Sequence, residues 1–389
     1  GLTPASDAHQ RFAWGEPPQK QGDYAYLLHI IRSMKSTGKG ACILPHGVLF
    51  RGNAEAVIRE QLVRSGILKG IIGLPANLFY GTGIPACILV LDKENATARK
   101  GIFMVDAAKG FAKDGAKNRL RERDIHKMVD TFSKLEDVPR YARMVPLAEI
   151  ADPKNNYNLN LPRYIDSTEP EDIQDIAAHL RGGIPECDLD ALSAYWQVLP
   201  GVRSALFASA GRAGYAQLQL PIAEVKNSIF AHPEFTAFQH SASHVFAEWK
   251  QANTPLLHNF GPHSQPKQLI DAIAEDLLQR FKALPLVDAY AVYQHLMDYW
   301  AETMQDDCHL IAVEGWQAQP SRIIEIDKKG KPKDKGWQCE LLPKTLVVAH
   351  YFADAQAALE AQQAQLESVT AQLAELEEEH SGEDAAFSG

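Results

Sequence analysis

Cysteine is scarce in these 389 residues. Cys42, Cys87, Cys187, Cys308 and Cys339 are odd in number, and no two form a C-x-x-C pair. That spacing argues against a disulfide framework or a structural zinc site, and it makes a reducing cytoplasm the expected compartment. Long apolar runs are missing as well. None approaches the roughly 20 residues that cross a bilayer, and no signal-peptide pattern opens the chain. Three catalytic signatures do not occur: the phosphate loop G-x-x-x-x-G-K-[ST], the nucleophile elbow G-x-S-x-G, and a helical zinc pair with its glutamate. His240 and His244 are four apart, but Ser-Ala-Ser separates them and no third ligand is evident, so no metal is expected.

Basic residues are absent from one place in particular. Residues 351–389 hold nine carboxylates and no Lys or Arg, which leaves 39 basic against 40 acidic side chains in the other 350. Nine units of the formal charge of −10 therefore belong to the tail. The nearly neutral body is free to meet nucleic acid locally, whereas the tail is not. At 46% hydrophobic and 23% charged, the chain reads as a soluble globular protein of two or three domains.

After an irregular stretch 1–22, Asp23 is placed to cap an amphipathic helix carrying Tyr24, Leu27, Leu28, Ile31 and Met34, ended by Gly38. Apolar runs at 41–44, 67–74, 86–91 and 102–106 read as strands, with a helix at about 53–64. The step from 74 to 86 is too short for a crossover helix, so those two strands should form an antiparallel hairpin closing one edge of the sheet. Three or four strands fall short of the six or so of a doubly wound domain, and part of the sheet is expected to lie upstream. Strand signals then fade. Helical periodicity covers 170–181, 187–208, 236–251, 266–283 and 288–304, with 253–266 as a loop and "DKKGKPKDKG" (327–336) as a basic surface loop.

The last segment has the cleanest repeat. Taking Phe352 as position a, the seam runs through Phe352, Ala355, Leu359, Gln362, Leu366, Val369, Leu373 and Leu376. Seven of these eight positions are apolar, the pattern of a coiled-coil seam that wants a partner helix, although a helix lying on its own domain is the simpler reading.

Two places could carry chemistry. The first is "NLFYGTGIPACILVLDK" (77–93), where Asn77, Phe79 and Tyr80 stand beside Gly81-Thr82-Gly83. An aromatic next to flexible glycines can stack on an unpaired base, or it can simply close the hairpin's core. The second lies between Lys93 and Lys127, where ten basic residues face five acidic ones. Lys113, Lys117, Arg119, Arg121 and Arg123 could grip DNA phosphates, or could form an ordinary solvated face.

"ILPHGVLFRGNAEAVIREQL" (43–62), followed by "IIGLPANLFYGTGIPACILVLDK" (71–93), resembles the modification (methyltransferase) subunit of type I restriction-modification systems. The likeness continues through "NNYNLNLPRYID", "YQHLMDYWAETMQDD" (293–307) and "LAELEEEHSG". It implies methyl transfer from S-adenosylmethionine to the N6 of adenine in duplex DNA. It also implies assembly with a sequence-reading specificity subunit and a restriction subunit.

Two family motifs have no counterpart here: the Gly-containing cofactor loop and the catalytic tetrapeptide N-P-P-[FY]. Pro17-Pro18 follows Glu16, not Asn. Adenine N6 is a poor nucleophile, and the tetrapeptide's Asn side chain and Pro carbonyl accept its hydrogen bonds as positive charge develops. The expectation is therefore a C-terminal portion of the enzyme, without catalytic residues or bound cofactor of its own. Phe79 first and Tyr80 second fall where this class sets an aromatic against the flipped adenine. Asn77 belongs to the same loop, and His46 either lines the target pocket or stabilises its own turn. The expected organisation is an incomplete Rossmann-like α/β sheet (1–110), a basic connector (111–165), a mostly helical domain (166–350), the coiled-coil helix (351–380) and a disordered tail (381–389). A sheet truncated in this way could also self-associate through its open edge.

Overall fold

A computed structural model describes residues 6–168, 173–326 and 330–379. The chain divides into two compact units, one of residues 1–249 and 274–297 and the other of 250–273 and 298–389. The expected tail 381–389 lies outside the described residues.

The first unit is built on a mixed sheet. In chain order its elements are α1 (Asp23–Ser33), β1 (Lys39–Pro45), α2 (Ala54–Arg64), β2 (Leu68–Gly73), β3 (Ala86–Asp92), β4 (Gly101–Asp106), β5 (Ala112–Asp114), β6 (Lys117–Arg119), α3 (Glu122–Lys134), β7 (Ala142–Pro146) and α4 (Leu147–Ala151). Among the described residues five strands pair in the order β1-β3-β2-β4-β7. β2 and β3 are antiparallel, as their short connection requires. They do not close an edge, however. β3 also pairs with β1, from Lys39↔Asp92 to Pro45↔Ala86, so β1 takes the edge and β3 lies inside. Of the four pairings only β2 with β4 is parallel, so the described α/β sheet is mixed. β7, which no sequence signal announced, supplies the opposite edge.

Alternation along the inner strands sorts the core into two layers. Ile71, Leu89, Leu91, Ile102 and Met104 pack with Leu27, Leu28 and Ile31 of α1 and Ile58 and Leu62 of α2. Ile72, Phe103 and Val105 face the other way, towards Met128 and Phe132 of α3. Gly70 is where α3 presses closest: a Cβ there would lie 2.4 Å from the Phe132 ring. β1 differs, because its outer residues are largely exposed, Ile43 at 55%.

The "NNYNLNLPRY" segment is fastened beneath the first layer. Leu159 N donates to Leu49 O at 2.8 Å, and the buried Arg59 donates to the carbonyls of Tyr157, Val48 and Arg51. Asp23 does not cap α1. Gly22 holds that position, and the Asp23 carboxylate instead accepts from Arg51 at 2.9 Å.

Beyond residue 173 the chain is not purely helical. A small sheet of β8 (Ile184–Pro185), β9 (Phe207–Ser209) and β10 (Tyr215–Leu218) sits among α5 (Ile176–Arg181), α6 (Glu186–Ala191), α7 (Ser193–Val198) and α8 (Pro200–Leu206). Longer helices follow: α9 (Ile222–Ala231), α10 (Pro233–His258), α11 (Pro266–Lys282), α12 (Ala289–Tyr299) and α13 (Gln305–Glu314). α10 runs through Pro255, so the loop expected at 253–266 begins only after His258. Of the basic loop expected at 327–336, residues 327–329 lie outside the described residues, and 332–336 are strand, in β12 (Pro332–Gln338), which pairs with β11 (Ser321–Ile326). α14 (Lys344–Tyr351) then ends at Phe352, and α15 (Ala353–Glu379) starts afresh. Among the described residues, no helix is long and apolar enough to cross a membrane.

Candidate functional site

The loop between β2 and β3 is shaped by its own residues. Leu74 N donates to Ala86 O at 2.9 Å and Asn77 N to Gly83 O at 3.3 Å, drawing its two arms together. Asn77 has φ +57° and Gly81 φ +77°, left-handed conformations that Asn and Gly tolerate best. A Cβ at Gly83 would lie 2.9 Å from Asn77 Oδ1, so a side chain there would require the Asn77 amide to shift.

This places Phe79 and Tyr80 differently. Phe79 is 40% exposed and forms one wall of an apolar hollow of about 380 Å³, shared with Ile43, Leu44 and Pro45 at the end of β1 and with Thr82, Ile84, Pro85 and Ala86. Tyr80 is 94% exposed and stands outside that lining. An open hollow with one flat aromatic wall and few polar atoms can accept the face of a planar heterocycle. Asn77 shapes the loop without lining the hollow.

His46 follows Pro45 but does not line the hollow either. Its backbone N donates to Pro85 O at 3.0 Å and its ring meets Phe50 edge-on. Nε2 is enclosed with no hydrogen-bond partner among the described residues. Burial holds the imidazole pKa below its ordinary value, against the opposing charge of Asp106. Burial thus favours the neutral form of the ring.

The basic strip is less available than its composition implies. Lys117 Nζ donates to Phe79 O and Thr82 O, at 2.7 and 3.2 Å. Arg121, at the N-cap of α3, donates its guanidinium to the Asp124 carboxylate at 2.8 and 3.0 Å and its backbone N to the same group at 3.0 Å. Arg119 approaches Asp114 at 3.9 Å, and Lys113 lies 5.5 Å over the Phe111 ring. Arg121 and Arg123 nevertheless line a cleft of about 540 Å³ with Lys109, Lys127 and Arg140, faced by Asp106, Asp124 and Asp288. Lys127 sits 4.4 Å over the Tyr141 ring, and Arg140 donates to Thr168 O. Arg140 is distant in sequence and carried no signal that it belonged to this group.

α3 is anchored on its other side by Asp130, whose carboxylate accepts from Lys134 at 2.7 Å, from the Tyr290 hydroxyl at 2.6 Å and from Lys282. Burial opposes its ionisation, but these three donors outweigh burial and hold its pKa well below the usual carboxylate range. His126 stacks on Tyr293 with ring centroids 4.7 Å apart and meets Glu275 at 3.2 Å.

On α15 the expected seam points into solvent. Leu359, Leu366, Val369, Leu373 and Leu376 are all exposed, from 48% at Leu376 to 67% at Leu366. Phe352, taken as the first seam position, falls at the break before the helix. His240 and His244 lie along α10, and no metal-holding cluster exists among the described residues.

Residues 3–173 match the family model described as N-6 DNA Methylase. That segment is thus similar to the N-6 DNA methylase family. The match embraces the whole five-stranded sheet, the hollow beside Phe79 and the basic cleft's strands and α3. Curated relatives agree. The segment is similar to the type I restriction enzyme MjaVII methylase subunit of Methanocaldococcus jannaschii, 35% identical over 171 residues, 43% of this chain and 29% of the relative. It is also similar to the HindI methylase subunit of Haemophilus influenzae, 32% identical over 171 residues, 42% of this chain and 38% of the relative. Among solved structures, a type I methyltransferase subunit from Streptococcus thermophilus is 38% identical, covering 40% of this chain and 33% of its own, at a TM-score of 0.38. The chain thus spans about a third of the length of the curated relatives it matches.

Proposed function

We propose that this chain supplies the target-base side of an adenine-N6 DNA methyltransferase of the type I restriction-modification class. The observation that carries this reading is the hollow beside Phe79, lying within the segment that matches the methylase family. An adenine rotated out of the duplex would lay its face on the Phe79 ring, between the end of β1 and the Ile84-Pro85 arm. Tyr80, standing outside the hollow, is the weaker candidate.

Duplex DNA reaches this end of the sheet along the basic cleft, where Arg121, Arg123, Lys109, Lys127 and Arg140 offer sequence-independent contact to phosphates. Lys113 and Arg119 extend that surface along the β5–β6 hairpin. The tetrapeptide N-P-P-[FY] does not occur in the sequence, so this chain alone transfers no methyl group and holds no S-adenosylmethionine. In the whole enzyme that cofactor supplies the electrophilic methyl, and the residues described here orient and shield the acceptor base. The setting is the cytoplasm.

A second reading rests on α15. Its exposed apolar stripe in an acidic helix supports docking to the specificity subunit through a partner helix on a basic surface, with the restriction subunit joining the complete assembly. As it stands, the chain would then serve as an assembly module. Calorimetry tests the first reading. Titrating S-adenosylmethionine into this chain should give no binding heat, and a micromolar or tighter site would contradict the division of labour proposed here.

A further inference from the structure

The β5–β6 hairpin reaches the aromatic loop with four hydrogen bonds, all running from hairpin N–H groups to loop carbonyls. Lys117 Nζ donates to Phe79 O at 2.7 Å and to Thr82 O at 3.2 Å. Asn118 donates its side-chain Nδ2 to Ala76 O at 2.7 Å and its backbone N to Asn77 O at 3.0 Å. Asn118 is buried, only 7% exposed, whereas Lys117 stays at the rim. The two carbonyls held by Lys117 bracket Tyr80-Gly81, the most exposed part of the loop, and one of them belongs to Phe79 itself.

Such a loop tip, rich in glycine and open to solvent, has many conformations available to it. A stacking wall must instead be held near one pose before a base arrives, because the cost of ordering it would otherwise be taken from binding. A lysine suits this task. Its ammonium carries three donors on a long stem, enough to satisfy two carbonyls at once while leaving one donor in water.

We propose that Lys117 and Asn118 are positioning residues that lock the 76–83 loop, so that Phe79 is preset to stack on an unpaired base. This removes Lys117 from the phosphate-contacting set. The proposal deepens the reading of the hollow as a base site and rests on it. Asn118 anchors the inner arm from the core and Lys117 fixes the outer tip. The hairpin carrying both turns at Gly115 and leads, through Arg121, into α3, so loop pose and cleft share one short stretch of chain.

The test uses the full chain, its Lys117→Met and Lys117→Arg variants, and Phe79→Ala. Amide hydrogen exchange over 76–84 should accelerate at least about tenfold in K117M and stay near wild type in K117R. Unchanged exchange in K117M would overturn the clamp. The second readout is quenching of a short single strand that carries one 2-aminopurine. K117M should lose the quenching seen with wild type, K117R should restore it, and the salt dependence of strand affinity should not change in either. A salt slope reduced by about 0.7 in K117M would return Lys117 to the phosphate contacts and overturn the proposal. So would full quenching by K117M where F79A abolishes it. If F79A quenches as wild type does, the base-stacking reading itself fails, and the exchange result still decides separately whether Lys117 holds the loop.

Discussion

The inner sheet of the first unit and the helix Ala353–Glu379 both carry clean apolar periodicity, yet they treat it oppositely. In β2, β3 and β4 each apolar residue finds cover on one face or the other, and Ile71, Phe103 and Leu91 are fully enclosed. In α15 every seam residue remains in solvent. A pattern of period two, folded between helices on both sides, is satisfied within the chain. A stripe of period three and a half suits a partner helix, and in α15 nothing among the described residues covers it. Apolar pattern alone therefore does not tell a covered face from an exposed one; what distinguishes them is whether the same chain provides the opposing surface.

Altering residues in each region should separate these two roles. The largest effect is expected for Leu366→Glu, which sets a charge in the seam. Binding to a specificity subunit should fall by two orders of magnitude or more, on the order of 3 kcal/mol, with the thermal midpoint unchanged. Unaltered co-purification would remove α15 from the interface. Phe103→Ala should do the reverse, costing about 3–5 kcal/mol of stability through the cavity left against Phe132. Its measure is the denaturant midpoint, and partner binding at low temperature should persist.

Asp130→Asn should cost about 1.5–3 kcal/mol at neutral pH, because three donors lose their charged acceptor. The sign follows from its depressed pKa: the stabilisation is present above the unfolded-state value near 3.9 and is lost as pH falls through the lower folded value. The wild-type advantage should therefore be constant at neutral pH and shrink only in strong acid. An advantage that vanished between pH 7 and 5 would point to another group. Smallest of all, Ile43→Lys on the exposed β1 edge should change stability by under about 0.5 kcal/mol. It should also suppress any self-association through that edge. Light scattering of the wild-type chain decides whether there is any to suppress, and a clean monomer would dismiss it.

What could be read in advance followed distance along the chain. The α2 helix and the antiparallel β2–β3 hairpin follow from neighbours and from the shortness of their link. The insertion of β3 between β1 and β2 does not, since it depends on pairing residues such as Lys39 and Asp92 across more than fifty positions. Asp23 looked like a helix cap because its competitor, Arg51, is remote. The glycine neighbours single out Phe79, but composition does not say that Tyr80 stands outside the hollow. Nor could a run of positive charge reveal that Lys117 serves carbonyls, that Arg121 serves Asp124, or that Arg140 joins them from another turn of the chain.

The central claim is that an unpaired adenine rests against Phe79. Irradiating the chain with a DNA strand that carries a single 8-azidoadenine, then mapping the labelled peptide, tests it most directly. Label concentrated within residues 75–86, and lost in Phe79→Ala, is the expected result. Label that avoids this loop and falls on the basic cleft or on α15 would contradict it.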